Sequence, residues 1–150
     1  MKLRGLAIAC VAAWVGISAF FSFAVAPLVF RTIERGAAAQ AVTAVLPHYY
    51  VWGVALSAVA LLTYLVAVVR SREGRLGTIV ATLLCGAMLG ALLWAWLIVS
   101  PRAEAARRAR ADTTFARAHR AAVRLNGLTL AAGAAVLVLE GLRRAPRRSR

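Results

Sequence analysis

The chain has 150 residues, of which 62% are apolar and 16% charged, with a formal net charge of +14. Apolar residues arrive in long runs and mean hydropathy is +0.75, which excludes an ordinary soluble domain. The charge does not point to nucleic acid: eighteen of the nineteen basic residues are Arg, and they sit in the gaps between apolar runs, where membrane-flanking charge belongs.

Lys2, Arg4, an apolar stretch and "AVA" at 24–26 imitate a secretory signal. Pro27 then occupies a poor position for cleavage, and the apolar run is longer than the about 7–15 residues of a signal core. The reading is an uncleaved first membrane helix. Four segments are long and apolar enough to span, approximately 5–30, 49–69, 76–99 and 121–142. A span takes about 20 residues, and lipid forces such a segment to close its backbone hydrogen bonds within itself, so each is a helix. The expected fold is all-α, a four-helix transmembrane bundle.

Pro27 falls in the last turns of the first span and removes one backbone donor there. The Ala and Val spacing of the first connection, 31–48, predicts a short amphipathic helix on the interface. Pro47 then opens the second span, with Tyr49, Tyr50 and Trp52 expected at headgroup level. The connection 70–75, "RSREGR", is short enough to make spans two and three a tight antiparallel hairpin. Span three holds Gly86 and Gly90 four apart, a spacing that lets a second helix approach closely, in the same chain or in another copy. Trp94 and Trp96 mark its far end. Cys10 and Cys85 lie inside apolar runs and read as small packing residues.

The third connection, "SPRAEAARRARADTTF", is charged yet full of helix formers. Pro101 suits a helix start, and Asp112 with Thr113 and Thr114 can cap a last helix beginning near Thr113. Thirty residues from there to Leu142 would reach about 45 Å, so a long fourth helix is expected, its first turns among the headgroups. Residues 143–150 read as a basic, disordered tail. The termini and the 70–75 loop hold 10 basic residues in 18 positions, and the other side, counted over 31–48 and 101–124, holds 9 in 42. That density places both termini in the cytoplasm by the positive-inside rule, in the plasma membrane.

Three stretches carry a resemblance: "FFSFAVAPLVFR" at 20–31, "LPHYY" at 46–50 and "FARAHRAAVRLN" at 115–126. In this order they resemble the DUF4149 family of small four-helix membrane proteins, also called TMEM205-like. The family pattern approximates F-x-x-x-x-A-P-x-x-F-R, then L-F-P-x-Y-Y, then F-x-x-L-H-x-x-S-x-x-x-N. Here Leu46 stands where Phe is usual, Ala118 where Leu is usual and Ala122 where Ser is usual. The last departure removes a hydroxyl between His119 and Asn126. The resemblance implies an architecture and a set of positions, not a reaction.

The candidate functional face is Pro27, Arg31, Pro47, His48, Tyr49, Tyr50, Phe115, His119 and Asn126. His119 and Asn126 are seven apart, so one helix face carries both, about 10 Å apart along the axis. Asn126 can bond across helices, and His119 can meet a carbonyl or a lipid phosphate. On this topology His48 and His119 share a leaflet and, with Tyr49 or Tyr50, could line a polar pocket. Two histidines could also ligate haem iron or copper. Arg31 could pair with Glu34 or a lipid phosphate, and a helix-end salt bridge to Arg143 or Arg144 accounts for Glu140.

Gly-rich phosphate loops, G-x-S-x-G, H-E-x-x-H and paired carboxylates within a span are all absent from the sequence, and five acidic residues leave few bases. The leading expectation is a non-enzymatic multi-pass membrane protein, without a resident cofactor, working through a homo-oligomer, an unknown membrane partner, or anionic lipid head groups at 31–50 and 115–126. The alternatives are a small transporter or stress-tolerance protein with a pocket around His119, Asn126 and Tyr49, and a haem- or copper-binding membrane protein.

Overall fold

The structure, a computed structural model, describes residues 2–70 and 75–144. The helices are α1 (Lys2–Phe20), α2 (Ala26–Thr32), α3 (Arg35–Arg70), α4 (Arg75–Trp94), α5 (Ser100–Arg108) and α6 (Asp112–Arg144). Two π-helical turns join them: Phe21–Val25 connects α1 to α2, and Ala95–Val99 connects α4 to α5. Among the described residues, four continuous stretches are long and apolar enough to cross a membrane: Arg4–Thr32, Arg35–Arg70, Leu76–Arg108 and Asp112–Arg143. The inner part of the short loop, 71–74, and the tail, 145–150, lie outside the described residues.

Both π turns precede a proline. Pro27 and Pro101 each stand two residues beyond a π turn. A proline ring inside a helix collides with the carbonyl four residues back, here Phe23 and Leu97, the middle residue of each π turn. Widening the turn to an i→i−5 bond moves that carbonyl aside: Ala26 N–H donates to Phe21 O, and Ser100 N–H to Ala95 O. Neither span breaks.

One expectation changes here. Residues 35–46 are not a separate interfacial helix. They are the first turns of α3, which runs 36 residues straight through Pro47. Pro47 costs one backbone bond inside a helix that its own length and its neighbours hold in place. Helix α6 runs 33 residues from Asp112, in keeping with the expected start near Thr113, and the second and third spans have similar lengths of 36 and 33 residues.

The connections are short because each helix end is closed locally. The Glu34 carboxylate accepts N–H bonds from Gly36 (2.9 Å) and Ala37 (3.1 Å), capping the free donors of α3. Those bonds hold its carboxyl below the ordinary value of 4.5. The cap therefore contributes fully above that value and is lost as pH falls through the lowered one. Glu34 is thus engaged by backbone rather than by Arg31. After α5, Arg110 takes the left-handed conformation (φ 53°). Ala111 N–H reaches back to Ala106 O (2.9 Å) and Arg110 N–H to Arg107 O (3.1 Å), a Schellman closure that folds α5 onto the start of α6. Phe115 N–H then bonds Ala111 O (2.9 Å), so α6 starts at Asp112, one residue ahead of Thr113.

Packing closes a ring. Helix α1 touches α3 and α6, and α4 touches the same two, so α1 faces α4 and α3 faces α6 across the bundle axis. The core holds Val11, Trp14, Tyr64, Cys85, Met88, Leu92 and Val136. Close approach occurs at Gly53, where an added Cβ would lie 2.7 Å from the Trp14 ring, and at Gly133, where it would lie 2.5 Å from Val15 Cγ2. Gly86 and Gly90, expected to admit a neighbour, meet nothing within 4 Å. Their face of α4 points away from the bundle.

The two halves of the chain share one plan. A shift of 74 residues carries Pro27 onto Pro101 and the first π turn onto the second. It also carries the buried Ala7, Val11, Trp14 and Ser18 of α1 onto the buried Ala81, Cys85, Met88 and Leu92 of α4. A shift of 76 carries the buried Gly53, Ser57, Ala60 and Tyr64 of α3 onto Thr129, Gly133, Val136 and Glu140 of α6, which are buried too. The bundle is two copies of a helix, π turn and helix pair, related by an approximate two-fold axis along its length.

Candidate functional site

A polar cluster lies across the axis at the level of the first π turn. Ser18 from α1, Ser22 from the π turn, Tyr49 from α3 and Asn126 from α6 bond to one another. Ser18 Oγ lies 2.8 Å from Tyr49 Oη and donates to Asn126 Oδ1 (2.9 Å). Tyr49 Oη donates to the same Oδ1 (2.6 Å), and Asn126 Nδ2 donates to Ser22 Oγ (2.9 Å). Ser18 is fully buried and Tyr49 nearly so. In lipid an unpaired polar group has no water to turn to, so four groups on three spans converge on one another.

Aromatic rings fix the geometry. Tyr49 stacks at a tilt against Trp14 (centroids 4.9 Å) and Phe21 (5.1 Å), and edge-on to Tyr50 (5.6 Å). Tyr50 lies parallel to Trp96 of the second π turn, 6.5 Å away. Beside the cluster is a small cavity of about 20 Å³, lined by Tyr49, Tyr50, Leu92, Ala95, Ala122, Asn126, Thr129 and their neighbours. Ala122, the position where the resemblance has Ser, is on its wall.

Of the candidate face, the structure unites Tyr49, Tyr50 and Asn126. Tyr49 and Tyr50 are buried against the neighbouring helices, on the part of α3 that begins fourteen residues after its start at Arg35. Pro27 is half-buried, and Arg31, Pro47, His48, Phe115 and His119 are exposed. His119 stacks on Phe115 (centroids 6.1 Å) and shares a helix face with Asn126, but that face leaves the bundle before it reaches His119. Neither His48 nor His119 has a hydrogen-bond partner among the described residues, and no group of three His, Cys, Asp or Glu side chains converges among them.

Ser18 and Ser22 were not among the candidates. Their signal was present: two hydroxyls four apart in an otherwise apolar run, hence on one helix face.

A second buried polar group sits at the opposite end. Arg4 Nη2 donates to Thr78 Oγ1 (2.7 Å), and Arg143 bonds both Glu140 Oε1 (3.0 Å) and Thr78 Oγ1 (3.4 Å). The Glu140–Arg143 pair expected at a helix end is present, but it is turned inward: Glu140 is only 3% exposed. The Tyr64 hydroxyl is buried nearby without a hydrogen-bond partner among the described residues.

Four membrane-spanning helices in a closed ring, tied by interhelical hydrogen bonds near both ends, define a multi-pass all-α membrane protein. The chain belongs to the DUF4149 family: the family model, described as a domain of unknown function, matches residues 9–112. That match contains Ser18, Ser22, Tyr49 and the α4 wall of the cavity, and it ends before His119 and Asn126. No curated protein and no solved structure matches the chain.

Proposed function

We propose that this is a non-enzymatic membrane protein that works through its outer surface, by holding anionic lipid head groups at the rim formed by the first and third connections. The observation that carries this reading is the free charge of that rim. Arg31, Arg35, Arg102, Arg107, Arg108, Arg110, Arg117, Arg120 and Arg124 are all exposed there. Three carboxylates face them, and two are engaged: Glu34 caps α3, and Glu104 pairs with Arg108. Arg stems lie along the apolar helix while their guanidinium groups reach phosphates. A solute path through the Asn126 cluster has less support, because its cavity admits about one water.

Each basic residue near an anionic surface contributes about 1 kcal/mol. Replacing Arg117, Arg120 and Arg124 together by Gln therefore weakens headgroup binding by about 3 kcal/mol, roughly a hundredfold. Anionic phospholipid retained through purification, counted by mass spectrometry, is expected to fall sharply against retained phosphatidylcholine. Unchanged retention would sink the lipid reading and leave a protein partner.

The proposal keeps both termini in the cytoplasm of a plasma-membrane protein, on the density of basic residues at that end. A Thr114→Cys variant lacking Cys10 and Cys85 should react with a membrane-impermeant maleimide added to intact cells. Labelling only after lysis would reverse the orientation.

A further inference from the structure

We propose that the cavity beside Asn126 is a binding site for one hydroxyl group, either a buried water or the alcohol end of an amphiphile. The argument is a count of hydrogens, and it does not rest on the lipid-rim reading.

Ser18 Oγ, Tyr49 Oη and Asn126 Oδ1 touch pairwise at 2.8, 2.9 and 2.6 Å. Three contacts need three hydrogens, and the two hydroxyls bring two. In this arrangement Asn126 Nδ2 spends one hydrogen on Ser22 and keeps another without an acceptor among the described residues, and the Ser22 hydroxyl hydrogen is unspent as well. Turning the amide over exchanges its oxygen and nitrogen, which is a free choice of assignment. The amide then donates to both Tyr49 and Ser18, Ser22 donates to the amide oxygen, and one hydroxyl hydrogen serves the contact between Ser18 and Tyr49. One hydroxyl hydrogen is again left over. Either way the cluster holds a donor it cannot use internally.

Tyr49 and Asn126 both line the cavity, so an acceptor placed there meets that need. Thr129 lines it as well. Its hydroxyl hydrogen goes to Asn126 O (2.9 Å), so its oxygen is left to accept. An occupant that accepts from Tyr49 or Asn126 and donates to Thr129 is a hydroxyl. The volume of about 20 Å³ fits a single one.

The approximate two-fold axis explains why the site lies on this side. The shift that carries α1 onto α4 puts Leu92 in the place of Ser18 and Trp96 in the place of Ser22. Helix α1 and its π turn supply two hydroxyls to the axis at this level, and α4 and its π turn supply none. The cavity is on the deprived side, against Leu92 and Ala95, and a bound hydroxyl stands where α4 brings none.

The test uses the full chain in phosphatidylcholine vesicles. Water-edited solid-state NMR should transfer magnetisation from bound water to the Asn126 side-chain amide, with none to Ala60 in the dry core. Ala122→Ser, which places a hydroxyl on the cavity wall, should abolish that transfer without lowering Tm. Ala122→Val, which fills the space with hydrocarbon, should lower Tm by about 2–4 °C. If an amphiphile is the source, the water signal is absent, octanol raises the Tm of the parent protein, and Ala122→Ser removes that rise. No water transfer together with no octanol response overturns the proposal, whatever the variants do.

Discussion

Truncating Trp14 to alanine is expected to lower the unfolding midpoint of the purified protein by about 6–12 °C, equivalent to roughly 3 kcal/mol. Trp14 is fully buried, rests directly on Gly53 of α3 with Leu92 of α4 beside it, and stacks against Tyr49. Among the described residues no other fully buried side chain is as large, and Gly53 provides the room it occupies. In water such a truncation costs about 3–5 kcal/mol, partly because apolar surface returns to solvent. Between membrane helices that transfer part is small, since lipid tails are as apolar as leucine. What remains is the lost dispersion contact and the cavity, hence the lower end of the range. Trp14→Phe is the informative control. The indole N–H is buried without a hydrogen-bond partner, so phenylalanine removes an unmet donor while keeping most of the ring contact. It should shift the midpoint by less than about 1 kcal/mol in either direction. Equal losses for Ala and Phe would show that the ring is not what holds α1 to α3.

The spans were legible because lipid leaves a chain few choices. An apolar run of about 20 residues must be a helix, whatever its neighbours do. The prolines were legible as perturbations, but not as π turns. Pro47 read as a helix start because soluble proteins place proline there; within a long membrane helix it is simply carried along. Pro47 as a start gave no neighbours for Tyr49 and Tyr50 to turn toward. Once α3 reaches back to Arg35, the same rings fall beside Trp14, Phe21 and Trp96, and they turn inward. Asn126 was found because an amide in an apolar run requires a partner. His119 was placed on the correct face of α6, yet a face says nothing of how far along it a neighbour extends. The glycines show the same gap. Gly86 and Gly90 have the spacing of a contact, but Gly53 and Gly133 make the contacts, because only packing decides which glycine meets a side chain.

Asn126→Leu should cost about 2 kcal/mol, more than any other single change in the polar cluster. Asn126 accepts from Ser18 and Tyr49 and donates to Ser22, so its loss strands groups on α1, the first π turn and α3 together. One interhelical hydrogen bond in a membrane contributes about 0.6 kcal/mol on average and at most about 1.7, and three fail here at once. Relief is partial, because Ser18 and Tyr49 still lie 2.8 Å apart and can bond each other. Tyr49→Phe alone should cost about 1 kcal/mol, since its ring contacts persist and only the hydroxyl leaves. The two losses should not add. Without the amide, the Tyr49 hydroxyl retains Ser18 alone, and deleting it then costs a few tenths of a kcal/mol at most. A double-mutant cycle on thermal or denaturant unfolding in one detergent therefore should return a coupling of about 0.6–1.7 kcal/mol between α3 and α6. These helices face each other across the axis without packing along their backbones, so little besides this bond can couple them. Strict additivity would mean that the Tyr49–Asn126 bond does not form in the folded protein. The hydrogen count on which the hydroxyl site depends would then lose its starting point.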